Sequence, residues 1–291
     1  MANPGAMELI QAIHQVRTPF WDSFFKLLSF FDRQEFFFIL IPLVWFILGW
    51  KRGFQFLLIL TCSSLSNQGL KELFALPRPC QLDPSLGMIS VSGYGFPSGA
   101  AQTAVLLSGI LVYHVRRLWA WVVGICFLLL LSFSRLYLEV HFLRDILGGW
   151  VVGGVLWGVY TYLFPKWEKS LSRKNPILLL AGYQLAFLVL ILLGFRLSLC
   201  AIAMGVGLGL GIAHFRHWKE QFPRRKLMLA IRGVAGLLGV FVCESFLSWA
   251  LSSSGSLGVF LHFFVLGFVL SLAGYWMTFL TKRLLGHVGG K

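Results

Sequence analysis

The stretch LWAWVVGICFLLLLSFSRLYLEVHFLRD, residues 118–145, decides the fold of this chain. From Leu118 to Ser134 it carries no charge, and its length approaches the ~20 residues that a helix needs to cross the hydrocarbon of a bilayer. The apolar residues are continuous rather than alternating, which argues against a barrel strand and for a spanning helix over 118–135. Polar chemistry then appears at the far end, where Ser134, Arg135, His141 and Asp145 crowd together. One segment holds both a membrane span and side chains capable of chemistry at its mouth.

The same pattern recurs outward from this segment. The 291 residues are 57% hydrophobic and 12% charged, and nine spans are read over 35–50, 54–72, 98–115, 118–135, 145–164, 177–195, 197–214, 228–250 and 257–281. The expected fold class is all-α, a polytopic membrane helical bundle of about nine transmembrane helices. The first thirty-odd residues lack the basic start of a secretory signal and carry Glu8, Asp22 and Asp32 among aromatics. Residues 7–31 read instead as an interfacial amphipathic helix.

The formal charge of +14 does not indicate a nucleic-acid partner, because the basic residues fall in short clusters between apolar segments rather than on one soluble face. Lys51-Arg52, Arg116-Arg117, Lys166 with Lys169, Arg173 and Lys174, Arg216 through Lys226, and Lys282-Arg283 all fall on one side of the nine-span topology. The positive-inside rule makes that side cytoplasmic. A polar linker from Pro165 to Pro176 suggests a core over 1–165, holding the interfacial helix and five spans, and a four-span domain of unassigned role over 166–291. Gly149 and Gly153, and the series Gly205, Gly207, Gly209 and Gly211, predict close helix contacts. They do not read as a nucleotide loop, since a helix interior has no free N–H groups to offer a phosphate. The five cysteines, Cys62, Cys80, Cys126, Cys200 and Cys243, show no paired spacing for metal or disulfides.

Three polar clusters face outward together. Lys71 ends a span whose last turns, Ser63-Ser64-Leu65-Ser66-Asn67-Gln68, are polar enough to line a hydrated cavity, although a lone lysine there also fits a snorkelling side chain. Arg78 lies between Pro77 and Pro79, which restrict the backbone that carries the guanidinium. Pro97-Ser98-Gly99 opens span three, so Ser98 can cap the helix while nearby amides face an anion, and Gly99 permits close approach. Asn67 and Gln102 are further candidates for the cavity, with Gln102 equally able to pair with another helix.

His141 and Asp145 stack on one helical face at four-residue spacing. A carboxylate there can keep one imidazole nitrogen protonated and leave the other as a nucleophile. Such a pair is also a common structural hydrogen bond, but packing alone does not explain three cations, Lys71, Arg78 and Arg135, beside it. A phosphoryl group does: its transition state spreads charge over three oxygens, and arginine meets phosphate bidentately. No acidic cluster for a metal is apparent and no cofactor is implied, so the cations would take the metal's part.

Lys71-x6-Arg78-Pro79, Pro97-Ser98-Gly99 and Ser134-Arg135-x5-His141-x3-Asp145 resemble, in order, the three signature motifs of the type 2 phosphatidic acid phosphatase superfamily. The motifs cover about 75 residues, within a family-like core over 1–165. The resemblance implies that Lys71, Arg78, Ser98, Gly99 and Arg135 bind phosphate, that His141 attacks phosphorus to form a phosphohistidine, and that Asp145 orients His141. It further implies a lipid phosphate substrate, with membrane lipids as the other partners.

One position departs from the family pattern. The second motif should continue to a histidine that protonates the leaving group, but this chain has Ala100. Loss of a general acid costs roughly 10² to 10⁴ in rate, so turnover of a phosphate monoester should be slow. A diphosphate suffers less, because its leaving phosphate has a second pKa near about 6 and can depart unprotonated. A natural alanine would therefore favour a diphosphate lipid or phosphoryl transfer, and an engineered one, which the intact remaining motif residues favour, leaves the lipid open. A chain that only binds or transports lipid phosphate is the alternative of a different class. His14 is the one other histidine expected near the outer face, and a poor substitute for the missing acid. In span eight, Glu244 is a further candidate at membrane depth, while Arg232 reads as snorkelling. Short loops suggest a bacterial inner membrane with the site on its periplasmic face.

Overall fold

The computed structural model of the chain describes residues 4–171, 174–218, 226–252 and 254–286. Arg173 and most of the basic segment after His217, residues 219–225, lie outside them. The described residues form thirteen α-helices: α1 (Pro4–Gln15), α2 (Pro19–Leu28), α3 (Gln34–Leu48), α4 (Trp50–Phe74), α5 (Pro79–Leu82), α6 (Gly99–Val115), α7 (Leu118–Tyr137), α8 (Leu143–Gly158), α9 (Phe164–Leu171), α10 (Pro176–Leu192), α11 (Leu197–Phe215), α12 (Lys226–Leu251) and α13 (Gly255–Gly286). A 3₁₀ turn covers Ser29–Asp32 and a π turn Val159–Leu163. Helix is the only regular structure among the described residues.

Among the described residues, five helical stretches are long and apolar enough to cross a membrane: Leu118–Tyr137, Leu143–Trp167, Leu197–Phe215, Leu227–Leu251 and Gly255–Met277. Three shorter apolar helices, Gln34–Leu48, Gly99–Val115 and Pro176–Leu192, join them. The span expected over 54–72 falls within α4, whose polar second half carries the serines, Asn67 and Lys71, and α4 is not among these apolar helices.

Residues 7–31 are not one interfacial helix. Pro19 has no N–H to donate and disfavours helical backbone in the residue before it, and Thr18 is extended (φ −138°, ψ 153°). The Thr18 side chain then caps a second helix by accepting from the Trp21 N–H.

Contacts divide the chain into two compact units, 1–36 with 62–167, and 37–61 with 168–291. Segment 37–61 thus falls with the C-terminal helices, where the division at 165 read from the sequence places it with the core. In the first unit α6 packs against both α7 and α8. Small residues allow this: Ala100, Ala101 and Ala104 are buried, and Ser108 Oγ donates to the Gly124 carbonyl across 2.8 Å. A Cβ on Gly149 would stand 2.5 Å from the Ser98 carbonyl oxygen, and one on Gly153 2.5 Å from that of Gln102. These two glycines therefore let α8 lie directly behind the start of α6.

The second unit buries Trp45, Phe46, Leu57, Val206, Val240, Leu247, Leu266 and Leu270. Helices α11 and α13 are in close contact, since a Cβ on Gly205 would collide with the Phe264 carbonyl and one on Gly209 with the Ser271 hydroxyl. Arg232 does not snorkel: it is 4% exposed and its Nη2 donates to the Gly274 carbonyl of α13 at 3.3 Å.

Candidate active site

The Phe142 backbone opens α8, and its N–H donates to Asp145 Oδ2 at 2.9 Å, a contact that fixes the carboxylate at the helix start. The same Oδ2 lies 3.4 Å from His141 Nδ1. On the other side of the ring, His141 Nε2 lies 3.1 Å from Arg78 Nη1. The tautomer follows from the neighbours. A carboxylate only accepts and a guanidinium only donates, so Nδ1 carries the proton and Nε2 presents its lone pair. Burial pushes the His141 pKa down to about 4, with Arg78 and Lys71 acting in the same sense and Asp145 opposing. The imidazole is therefore neutral at pH 7, as a nucleophile must be.

Arg78 is 5% exposed and held from several directions. Nε donates to the Gly93 carbonyl at 2.9 Å, Nη2 to Ser92 at 3.2 Å and Nη1 to Val140 at 3.0 Å. Burial lowers its pKa, against the pull of Cys80 and Asp145, yet a guanidinium starts so far above neutrality that it keeps its charge at pH 7. Lys71 Nζ donates to the Tyr94 carbonyl at 2.6 Å. The loop 92–95 thus bridges the two cations of the first motif. Gly95 eases the packing there, because a Cβ would crowd Asp145 Oδ2 at 3.0 Å and Arg78 at 3.3 Å.

Ser98 caps α6, its hydroxyl accepting from the Ala101 N–H at 3.5 Å, and its own N–H donates to the Asp145 carbonyl at 2.8 Å. The second motif is in this way joined to the third. The amides of Gly99 and Ala100 precede the first intrahelical bond, from the Gln102 N–H to the Ser98 carbonyl, which is the arrangement that suits an anion at a helix N-terminus. Asn67 and Gln102 brace this end: Asn67 Nδ2 donates to Gln102 Oε1 (3.0 Å) and to the Pro97 carbonyl (3.2 Å), and Gln102 Nε2 donates to Ser63.

Ala100 is 1% exposed and packs in an apolar cluster with Ala104 and Leu131, lined by Phe31, Phe127 and Leu128. Arg135 is buried too, with Nε on Ser134 Oγ (3.0 Å), Nη2 on Ser29 Oγ (2.7 Å) and Nη1 3.6 Å from Asp32. Its Nη1 and Nη2 turn to the N-terminal segment and its Nε to the neighbouring Ser134, not to His141. Glu244 belongs to the second unit, where Oε1 lies 3.9 Å from His262 Nε2.

Sequence reasoning passed over Glu139. This residue is fully buried and left-handed (φ 60°), a backbone region that residues other than glycine adopt infrequently. His14 Nδ1 (2.7 Å), Arg17 Nη1 (3.2 Å) and the Gly87 N–H (2.9 Å) all meet its carboxylate. The available signal was a lone acid between Leu138 and Val140, two residues before His141.

A buried neutral histidine thus stands between a carboxylate and a fixed guanidinium. Residues 52–169 match the PAP2 superfamily, and helices long and apolar enough to cross a bilayer mark an integral membrane protein. It is 26% identical over 208 residues to a lipid A 4'-phosphatase of Porphyromonas gingivalis, covering 64% of this chain and 86% of that protein. A dihydrosphingosine 1-phosphate phosphatase of Saccharomyces cerevisiae is 31% identical over 156 residues, 48% of this chain and 37% of that protein. An undecaprenyl-diphosphatase of Sulfolobus acidocaldarius is 24% identical over 153 residues, 50% of this chain and 72% of that protein.

Proposed function

We propose that the chain is a nine-span lipid phosphate phosphatase that works through a phosphohistidine, with its leaving-group step impaired by Ala100. The observation that carries this reading is the orientation of His141, whose Nε2 lone pair stands 3.1 Å from the Arg78 guanidinium while Asp145 backs Nδ1. A phosphate attacked by Nε2 would lie against Arg78, with Lys71 and the amides opening α6 as further partners. In the first step an N–P bond forms as the bond from phosphorus to the lipid oxygen breaks, and the electron pair leaves on that oxygen. In the second, a water oxygen bonds to phosphorus as the N–P bond breaks and its pair returns to Nε2; one water proton stays on the departing inorganic phosphate, and the other, released to solvent, balances the one the lipid oxygen takes up. Asp145 steadies the imidazolium character that develops in the first step. The cations supply the electrostatic stabilisation, and no step calls for a metal.

The lipid oxygen needs a proton that Ala100 cannot give. A diphosphate lipid escapes this requirement, and so the substrate class and the acid position are linked. The packing around Ala100 favours a second reading as well: a position filled by apolar contact suits a catalytically silent lipid-phosphate binder or transporter. The distribution of basic loops supports an extracytoplasmic site, and the short loops favour a bacterial inner membrane, whose outer face is periplasmic.

Restoring the acid separates these readings. Ala100→His is expected to raise phosphate release from a lipid monoester by at least about tenfold, and His141→Ala in that background to abolish it. Phe31→Ala alongside Ala100→His opens the apolar cluster in case the imidazole lacks room. No gain from either chain, together with lipid-phosphate transport by the parent, would overturn the enzyme reading.

A further inference from the structure

The N-terminal segment grips the third motif at every second residue. Arg135 is held by Ser29 and Asp32, the Tyr137 hydroxyl donates to Asp22 Oδ1 at 2.8 Å and accepts from the Thr18 N–H at 3.3 Å, and Glu139 is held by His14 and Arg17. The next residue in that series is His141. Arg17 also pairs with Asp22 at 3.3 Å, so the contacts to Tyr137 and Glu139 form one network. On its other oxygen Glu139 accepts from the Gly87 N–H, and Met88 N–H donates to the Leu138 carbonyl at 3.2 Å.

The N–H groups of Leu138, Glu139 and Val140 tie the turn to the Ser134, Leu136 and Arg135 carbonyls at the end of α7. The contacts from the N-terminal segment and from Gly87 add to these and act through the Glu139 side chain. A left-handed Glu139 is unfavourable backbone that the sequence could relieve with glycine. The carboxylate is what glycine would lose, and it gathers three donors in a buried place where an unpaired charge would be costly.

We infer that Glu139 and His14 are positioning residues: they clamp α1 onto the turn that carries His141 and so hold Nε2 toward the phosphate site. The inference rests on His141 being the nucleophile, as proposed above, but its structural half can be read without turnover. Neither residue touches the reacting atoms. Their effect passes through residues 138–141 to the ring.

The test uses the full chain in detergent, labelled with ¹⁵N-histidine, with the His141 signal assigned by its loss in His141→Ala. The parent should show one tautomer at His141, protonated on Nδ1. Glu139→Gln and His14→Ala should show mixed tautomers. In the Ala100→His background the same changes should lower kcat by at least about tenfold, since small misplacement of a reacting group is costly, with KM within about twofold. His14→Asn, whose amide can donate where Nδ1 does, should recover most of the loss. Activity is referred to the folded fraction, so a merely structural role would leave kcat and tautomer unchanged. An unaltered tautomer and kcat in Glu139→Gln overturn the clamp, and where that chain fails to accumulate, the same result in His14→Ala does so. Absence of turnover in every chain refutes the phosphatase reading alone, while the tautomer still decides the clamp.

Discussion

At the residue scale the site depends on one imidazole kept neutral. His141 has its pKa lowered from 6.5 to about 4, so between those values an unfolded chain takes up a proton that the folded one refuses. Stability contributed by this group is present above 6.5 and lost as pH falls through that window. The melting temperature of the parent should therefore fall more steeply from pH 6.5 to 4 than that of His141→Ala. The acid limb of kcat/KM, which reports the free enzyme, should lie near 4 and not near 6.5; a limb at the ordinary histidine value would contradict the burial argument. Asp145→Asn should lower kcat by about 10² or more, because an amide can donate to Nδ1 and favour the wrong tautomer.

At the element scale the contact of α6 with α8 sets the distance between second and third motifs. The Ser98 N–H reaches the Asp145 carbonyl at 2.8 Å only because Gly149 and Gly153 carry no Cβ. Gly149→Ala would press a methyl group into the Ser98 carbonyl, and overpacking of this kind costs about 1–3 kcal/mol. The expected result is a lower melting temperature in detergent together with weaker orthovanadate binding. A similar change at Gly154, where nothing stands within 4 Å of a new Cβ, should do neither.

At the scale of the molecule the motifs are expected on one membrane side and the basic loops on the other. Ser85, exposed on the 83–88 loop, and Arg117, exposed between α6 and α7, sample the two sides. In spheroplasts an impermeant thiol reagent should label Ser85→Cys above the parent level and leave Arg117→Cys unlabelled until the membrane is opened. Labelling of both from outside would contradict the topology.

The helical class and the approximate place of the long apolar helices were legible in the linear chain, because each depends on local quantities: apolar run length and proline and glycine placement. His141 and Asp145 are four residues apart, so their meeting needed no tertiary knowledge. The break at Thr18-Pro19 was also local and was there to be read. By contrast, Arg135 turning to Ser29 and Asp32, Ala100 settling among apolar side chains, and Glu139 gathering His14, Arg17 and Gly87 involve partners from about 30 to 125 positions away. No periodicity records such pairings. They arise when helices pack and a buried charge must find whatever donors the fold has brought within reach, and for that reason only the tertiary structure could assign them.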